Sequence, residues 1–173
     1  MENLEKAFSE FNKTALRIEA LPEYHIEGGE WEEYEKYRKG LPIQGYSNQE
    51  WIDQLETWRK EGKTISRIRI VPEALNDYLR YEIKWCFPIN WDAGEDIKIV
   101  GQNEYESHIS SSTKGDYWIF DNDLVLQMNY DDKGKFIIAE LNEDQFRSKK
   151  IIELSNRLGN ISIPYMEYTK ILR

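Results

Sequence analysis

Three short runs of strand-forming residues lie between residues 116 and 141, and they constrain the fold more than any other part of the sequence. The runs read DYWIF, LVLQMNY and KFIIAEL, and they are rich in the aromatic and branched residues that favour β-strands. The short segments DND and DDKG separate them, and both contain residue types that form tight turns. This pattern predicts a β-meander of three consecutive antiparallel strands.

Other segments predict strands and helices around this meander. Strands are expected in TALRIEAL, in TISRIRIV and at residues 97–100. The helical spacing of apolar residues predicts helices at residues 2–12, Glu30–Lys39, Trp51–Glu61, about 72–88 and Glu143–Leu158.

Individual residues indicate where these elements begin and end. Ser47 followed by Glu50 is a capping-box pattern, in which the hydroxyl and the carboxylate bind free backbone N–H groups. Pro72 is expected in the first turn of its helix, and Pro88 is expected to close that helix. Residues 101–115 are polar and rich in serine, so we predict a mobile loop there.

Length and composition fit one domain. The 173 residues are enough for one hydrophobic core, and no internal repeat divides them. We therefore predict a single α+β domain over residues 1–173, with a mostly antiparallel sheet whose C-terminal meander packs against several helices. The sequence has neither a signal-like N-terminus nor an apolar window of roughly 18 residues, which predicts a cytoplasmic protein without a membrane span.

The net charge of −9 and the single cysteine exclude several functions. Direct nucleic-acid binding is not favoured, because it depends on clustered Lys and Arg, although Arg147, Lys149 and Lys150 form a local basic patch. Cys86 alone can form neither an intramolecular disulfide nor a multi-cysteine zinc site. The stretches DAGED and FDND lack the spacing of a calcium loop, and no phosphate-loop or nucleophile motif is found. We therefore predict no metal site, no cofactor and no catalytic residue.

Three arginines lie close together in the stretch SRIRIVPEALNDYLRYE, at residues 66–82. Arg67 and Arg69 share one face of a predicted strand, and Arg80 follows in the next helix. They can converge on an anion, since a guanidinium group grips a carboxylate or a phosphate with two hydrogen bonds. The alternative is pairing inside the fold, because a buried arginine must be paired, and the 32 acidic residues favour it. The acidic candidates for such pairing are Glu19, Glu82, Glu95 and Asp121.

The segment from Glu23 to Lys39 carries six glutamates, together with Trp31, Tyr34 and Tyr37. It predicts an exposed amphipathic helix whose acidic face is either solvated or in contact with a partner protein. The residues assigned to such a partner contact are Glu30, Trp31, Glu32, Glu33, Tyr34 and Tyr37.

Four motifs in the chain, FNKTALRIEALPEY, RIRIVPEALNDYLRYEI, AGEDIKIV and GDYWIFDNDLVLQMNYDDKG, span roughly residues 8–135. In these motifs the sequence resembles domain-of-unknown-function family 6879, an uncharacterised bacterial family. Its typical members show an F-R-L-E-x-L-P-x-Y segment, an R-V-R-V-V strand, a D-Y-x-R-Y-E helix, an A-G-E-D-I-R turn and a D-F-W-L-F-D strand. Tyr117 departs from this pattern, because the family usually has Phe at its position.

The resemblance implies that the polar residues in these motifs act together, either as a salt-bridge network that defines the fold or as a pocket. The residues assigned to this set are Arg67, Arg69, Tyr78, Arg80, Glu82, Glu95 and Asp121. The matching positions also include Arg17, Glu19, Tyr24 and Asp116. The C-terminal helix and tail, residues 143–173, lie outside the resembling core.

Two kinds of function are compatible with these observations. Members of the family often lie beside helix-turn-helix regulator genes or in phage and other mobile elements, which implies regulation or conflict with a host. We favour a non-enzymatic regulatory or interaction protein that binds a protein partner through its acidic surface. The alternative is a binding protein or enzyme that holds a small anionic, nucleotide-like ligand with the arginines. The sequence leaves open whether the chain forms a homo-oligomer.

Overall fold

The computed structural model describes residues 2–46 and 48–172. Its strands are β1 (Thr14–Glu19), β2 (Thr64–Val71), β3 (Asp96–Gly101), β4 (Asp116–Phe120), β5 (Leu124–Tyr130), β6 (Phe136–Leu141) and β7 (Ile163–Pro164). Its helices are α1 (Glu2–Glu10), α2 (Gly28–Arg38), α3 (Gln49–Lys60), α4 (Asp77–Tyr81), α5 (Phe87–Ala93), α6 (Gln102–His108), α7 (Gln145–Ile161) and α8 (Tyr165–Ile171). A π-helical turn, Glu82–Cys86, joins α4 to α5.

The strands form one sheet in the order β6-β5-β4-β1-β2-β3-β7. Strands β1, β2 and β3 are parallel neighbours, and helical segments connect them, as parallel pairing requires. The meander β4-β5-β6 lies beside β1 and is antiparallel throughout, while β7 pairs antiparallel with β3. The predicted α+β fold, with mostly antiparallel pairing and a C-terminal meander, is confirmed.

The turn between β4 and β5 shows how the local sequence specifies the meander. Asp121 and Asn122 have positive φ angles of 52° and 55°, and the N–H of Asp123 donates to the carbonyl of Phe120 at 3.0 Å. Two consecutive residues at positive φ form the turn whose twist matches a β-hairpin, and Asp and Asn tolerate this conformation better than most residues. The DND segment therefore fixes the register of the first hairpin.

Helices cover both faces of the sheet, but in different ways. On one face, α6 and α7 pack over a continuous apolar cluster that includes Ile68. On the opposite face there are two separate clusters. One lies under α1 and α3 and includes Trp58, and the other lies under α2, α4, α5 and α8 and includes Tyr81. The interval between these two clusters contains the polar residues described below.

Both proline predictions for the helix after β2 are wrong. Pro72 lies outside any helix, because α4 begins at Asp77, where the side chain of Asn76 accepts a hydrogen bond from the N–H of Leu79. A good N-cap residue fixes a helix start more strongly than a proline that is merely tolerated there. Pro88 does not close a helix but lies in the first turn of α5, where its missing N–H removes no hydrogen bond.

Three other local predictions concern residues 101–115, the end of α7 and the start of α3. The segment 101–115, predicted as a mobile loop, contains α6, which forms because its Tyr105 is buried against the sheet. Helix α7 continues past its predicted end to Ile161, so Gly159 and Asn160 do not terminate it. The predicted cap residue Ser47 lies outside the described residues, and the side chain of Asn48 caps α3.

Candidate functional site

The polar side chains of β1 and β2 lie on one face of the sheet, between its two apolar clusters. Along β2 this face carries, in order, Ile65, Arg67, Arg69 and Val71. Ile65 belongs to the cluster under α1 and α3, and Val71 belongs to the cluster under α4 and α5. Parallel pairing places Arg17 of β1 beside Arg67 and Glu19 beside Arg69. The alternation of β1 and β2 thus gathers four charged side chains into the interval.

Carboxylates hold both arginines of β2. Arg67 donates from Nε to Glu95 Oε1 at 2.8 Å and from Nη1 to Glu19 Oε2 at 2.6 Å. Arg69 donates from Nε to Glu82 Oε2 at 2.8 Å and from Nη1 to a backbone carbonyl at 2.6 Å. These are charge-assisted hydrogen bonds from a buried Arg69 and a partly buried Arg67, and each one limits what the guanidinium can offer to a ligand.

Arg17 extends these pairs toward the meander. Its Nε lies 3.4 Å from Glu19 Oε1, and its Nη2 lies 3.6 Å from Asp116 Oδ2. The same Nη2 donates to the hydroxyl of Tyr130, and the hydroxyl of Tyr24 donates to Asp116 Oδ2. We refer to the charged groups as the ion-pair network, which comprises Arg17, Arg67, Arg69, Glu19, Glu82, Glu95 and Asp116.

Burial and neighbouring charges shift the pKa values of Glu19, Glu82 and Asp116 in different directions. Burial alone would raise the pKa of Glu19, but the three arginines outweigh it and lower the pKa to about 2. Burial raises the pKa of Glu82, and Arg69 offsets this only in part. Burial likewise raises the pKa of Asp116 against the opposing charge of Arg17. Glu19 is therefore the most firmly ionised of these three groups.

Glu82 occupies the first position of the π-helical turn. Such turns are rare, occur frequently at functional sites, and change which side chains face inward. Here the turn follows Tyr78, whose hydroxyl donates to Glu82 Oε1 at 3.4 Å while Glu82 Oε2 accepts from Arg69. An unusual backbone segment thus positions the carboxylate that pairs with Arg69.

Glu95 reaches the network because α5 ends at Gly94. This residue has a φ of +110°, and a side-chain carbon at its position would lie 2.8 Å from the Cδ of Arg59. Glycine is the usual residue where a helix ends in the left-handed conformation. The AGED segment therefore reverses the chain and brings Glu95 to Arg67 immediately before β3 begins.

A cleft of about 1010 Å³ borders the ion-pair network, and we call it the acidic cleft. Its size is near the upper end of the range of small-ligand sites. Aromatic side chains form much of its wall, among them Phe8, Tyr24, Tyr46, Trp51, Tyr78 and Trp118. The carboxylates that line it are Glu5, Glu19, Glu30, Glu50, Glu61 and Glu82. The lining also includes Lys63, Arg67 and His25. Carboxylates therefore outnumber basic side chains in the cleft.

Glu30 of α2 lines this cleft, so it does not lie on the outer acidic surface. Its burial and the negative charge of Glu82 raise its pKa to about 7, although the positive charge of Arg67 opposes the shift. Glu30 is thus about half ionised near neutral pH, and its charge responds to small changes in pH or to a bound cation.

A comparison with models of protein families gives a match over nearly the whole chain. The model of a domain of unknown function, DUF6879, matches residues 2–170. The chain belongs to this family. The match extends beyond the motifs at residues 8–135 and includes α7, β7 and most of α8. A search of curated proteins finds no match.

Residues 2–46 and 48–172 of this DUF6879 chain contain neither a membrane-spanning helix nor a cluster of metal-binding side chains. No helix in these ranges combines the length and apolar character needed to cross a membrane. Nor do the same ranges contain a group of three or more His, Cys, Asp or Glu side chains placed to hold a metal ion.

The structure brings together five of the seven residues predicted as a ligand-binding set. These residues are Arg67, Arg69, Tyr78, Glu82 and Glu95. Arg80 does not join them, so the three arginines do not converge at one site. It is exposed, and its Nε donates to the carbonyl of Leu75 at 3.2 Å. Arg80 is separated from the network because Tyr78 and Glu82 occupy the buried side of the same helical segment.

Asp121 is the second residue of the predicted set that lies elsewhere. It sits in the turn between β4 and β5, at the opposite end of β4 from Asp116. Its carboxylate accepts hydrogen bonds from the backbone N–H groups of Asn12, Lys13 and Thr14 at 2.7, 2.7 and 2.9 Å. Asp121 therefore joins the start of β1 to the meander.

We expect Asp121→Ala to lower the free energy of unfolding by about 2 kcal/mol. The substitution leaves three backbone N–H groups without their acceptor and places an alanine at positive φ. Asp121→Asn, which keeps an acceptor oxygen and tolerates positive φ, should lose less than half as much. Urea denaturation at neutral pH measures both. Partial burial acts to raise the pKa of Asp121, but the three N–H groups lower it below its usual value.

Because this folded-state pKa is depressed, the contribution of Asp121 is fully present above the unfolded pKa and is lost as pH falls through the folded one. The stability difference between wild type and the alanine variant should therefore shrink in strong acid. Equal stability of the two proteins at neutral pH would show that the three hydrogen bonds contribute nothing net.

Three residues of the site were not assigned to the ligand-binding set from the sequence. They are Arg17, Glu19 and Asp116. A signal for the first two was present, since Leu16 and Ile18 alternate with them in a predicted strand and so leave Arg17 and Glu19 on a common face. Asp116 carried no signal from strand alternation, and only its place in the family motifs connected it with these residues, because its position depends on the antiparallel pairing of β4 with β1.

The predicted partner surface on α2 is smaller than expected. Tyr34 is only 6 % exposed and packs among other tyrosines, which corrects its assignment as an exposed contact. Tyr37 is also partly buried in that cluster, and Glu33 pairs with a lysine one turn later. Trp31 and Glu32 remain at the surface. The acidic side chains of α2 therefore lie partly at the exposed surface, as Glu32 does, and partly in the acidic cleft, as Glu30 does.

Proposed function

We propose that this protein is a non-enzymatic interaction protein that binds a basic protein partner at the acidic cleft. The observation that carries the proposal is the lining of the cleft, where carboxylates outnumber basic side chains and aromatic rings form the walls. A cleft lined by charges of one sign raises the local concentration of the opposite charge. The proposed role is regulatory and cytoplasmic, consistent with the regulator genes that often accompany similar bacterial sequences.

A cation fits the cleft better than an anion. Arg67 lines the cleft, but its Nε and Nη1 already donate to Glu95 and Glu19. Arg69 is fully buried and bound to Glu82. An anionic ligand would have to displace these carboxylates from the arginines, whereas a cation can bind without displacing them. A nucleotide-like anion held by the arginines is therefore the less supported alternative.

The aromatic walls favour a basic side chain over a simple metal cation. A lysine or arginine side chain has an apolar stem and a charged end, so it packs against rings such as Trp51 and Tyr24 while its charge approaches Glu30. Helix α2 also presents Trp31 and Glu32 on its outer side, which extends the acidic surface beyond the cleft. A basic segment of a partner protein can contact both parts.

We expect a short peptide of alternating Arg and Gly to bind more tightly at about pH 8.5 than at about pH 5.5, by roughly two- to fivefold, because Glu30 ionises in between. Glu30→Gln should bind about as weakly as the wild type does at the lower pH, and its affinity should depend much less on pH in this range. The three tryptophans in the cleft, Trp51, Trp58 and Trp118, provide a fluorescence signal, and calorimetry gives the affinity.

Two controls separate the cleft from general charge attraction. Glu153→Gln removes one exposed carboxylate from α7, on the other face of the sheet, and should leave the pH dependence unchanged. A peptide of alternating Glu and Gly should not bind. Equal affinity for the two peptides would contradict the proposal, and so would a nucleoside triphosphate that binds while the arginine peptide does not. The latter result would favour the anion-binding alternative.

A further inference from the structure

A second cleft, of about 690 Å³, lies between the segment from α4 to α5 and the C-terminal helix α8. We call it the apolar cleft, and its main apolar walls are Leu75, Ile83, Pro88, Trp91, Met166 and Leu172. Trp91 and Met166 are each 43 % exposed. Large apolar side chains that meet solvent around a concavity indicate a binding surface, since covering them removes apolar area from water.

Two cationic side chains stand beside this apolar wall. Arg80 and Lys84 both line the cleft, and their spacing of four residues places them on the same side of the helical segment. Both are exposed, and neither lies within ion-pair distance of a carboxylate of the described residues. Asp92 is the acidic residue in the lining, so the cleft carries more positive than negative charge.

We propose that the apolar cleft binds a small amphiphilic carboxylate, a molecule that joins one carboxylate group to an apolar body. The apolar body covers Trp91 and Met166, and the carboxylate accepts hydrogen bonds from Arg80 and Lys84. Arg80 uses its Nε on the carbonyl of Leu75, which directs the planar group while its terminal nitrogens remain for a ligand. The cleft volume is within the range of small-molecule sites.

This site differs from the acidic cleft in the sign of its charge. Glu82 lines the acidic cleft, whereas the next two residues of the π-helical turn, Ile83 and Lys84, line the apolar cleft. One short segment therefore presents a carboxylate to one cleft and a cation to the other. Because the two clefts select opposite charges, ligand binding at one is tested independently of the other.

The test compares three probes with the same alkyl chain and different head groups, namely decanoate, decanol and decanamide, each below its micelle or solubility limit. We expect decanoate to bind with at least about fivefold higher affinity than the other two, as measured by calorimetry. Arg80→Gln combined with Lys84→Gln should weaken decanoate binding by about fivefold to tenfold and leave decanol unchanged. Lys149→Gln, which removes an exposed charge from α7, should change neither affinity.

A pair of substitutions at one exposed position makes the test sharper. Met166→Glu places a negative charge in the cleft and should abolish decanoate binding, whereas Met166→Lys should preserve or strengthen it. Both variants should fold, because Met166 is 43 % exposed. Absence of decanoate binding to the wild type would overturn the proposal. So would equal affinities for the three probes, or equal effects of the two Met166 substitutions.

Discussion

Replacing Arg69 with methionine is expected to lower the free energy of unfolding by about 3–5 kcal/mol, because it leaves the carboxylate of Glu82 buried without its partner. Arg69 is 0 % exposed, and its Nη1 also donates to the carbonyl of Leu21 at 2.6 Å, so this backbone acceptor loses its donor as well. For a domain with a total stability of about 5–15 kcal/mol, this is a large fraction. Urea denaturation followed by tryptophan fluorescence measures it.

The matched control is the double substitution Arg69→Met with Glu82→Leu. It removes both charges, and a buried ion pair replaced by apolar side chains is often neutral or even stabilising, so the double variant should recover at least about half of the loss. The loss in the single variant should also shrink at lower pH. There Glu82, whose pKa burial already raises, becomes protonated and no longer needs a cation. A double variant less stable than the single variant would refute this explanation.

The second large effect is expected at Trp118. This side chain is 6 % exposed and contacts Phe8 and Trp51, with ring centroids 4.9 and 6.2 Å away, while the guanidinium of Arg17 lies 5.7 Å from its ring centroid. Trp118→Ala should lower the free energy of unfolding by about 3–5 kcal/mol, because a large cavity opens between the sheet and α1.

Trp31→Ala is the control for this substitution, since it deletes the same side chain from a position that is 44 % exposed. It should change stability by no more than about 0.5–1 kcal/mol. Thermal unfolding compares the two variants directly, and the Trp118 variant should melt roughly 10 °C lower. A Trp118 variant as stable as the Trp31 variant would mean that the aromatic cluster can close the cavity.

Local sequence was sufficient for most of the fold. The meander was predicted because its strands are adjacent in the chain and its turns contain residues such as Asp121 and Asn122 that accept positive φ. Helices α2, α3 and α7 were predicted from apolar spacing. Helix α6 was missed because its one buried residue, Tyr105, does not make a periodic pattern, and α4 was misplaced because two start signals competed.

The site was predictable only in part, and the reason is the separation of its members along the chain. Strand alternation alone places Arg67 and Arg69 on one face. The partners of Arg67 are 48 and 28 residues away, at Glu19 and Glu95, and which acid meets which arginine depends on strand register and on the turn at Gly94. Tertiary structure likewise places Arg80 and Asp121 away from the other residues of the predicted ligand-binding set.

By itself, the sequence determined the fold class, the meander and the charged face of β1 and β2, because these follow from neighbours two to four residues apart. Only the tertiary structure decided that Glu30 enters a cleft beside Glu82, and that Arg80 faces a separate apolar cleft. Those outcomes depend on how helices cross the sheet, which is set by packing between distant segments. Burial and neighbouring charges then give the same residue type different properties: the three arginines lower the pKa of Glu19 to about 2, whereas burial and the negative charge of Glu82 raise the pKa of Glu30 to about 7.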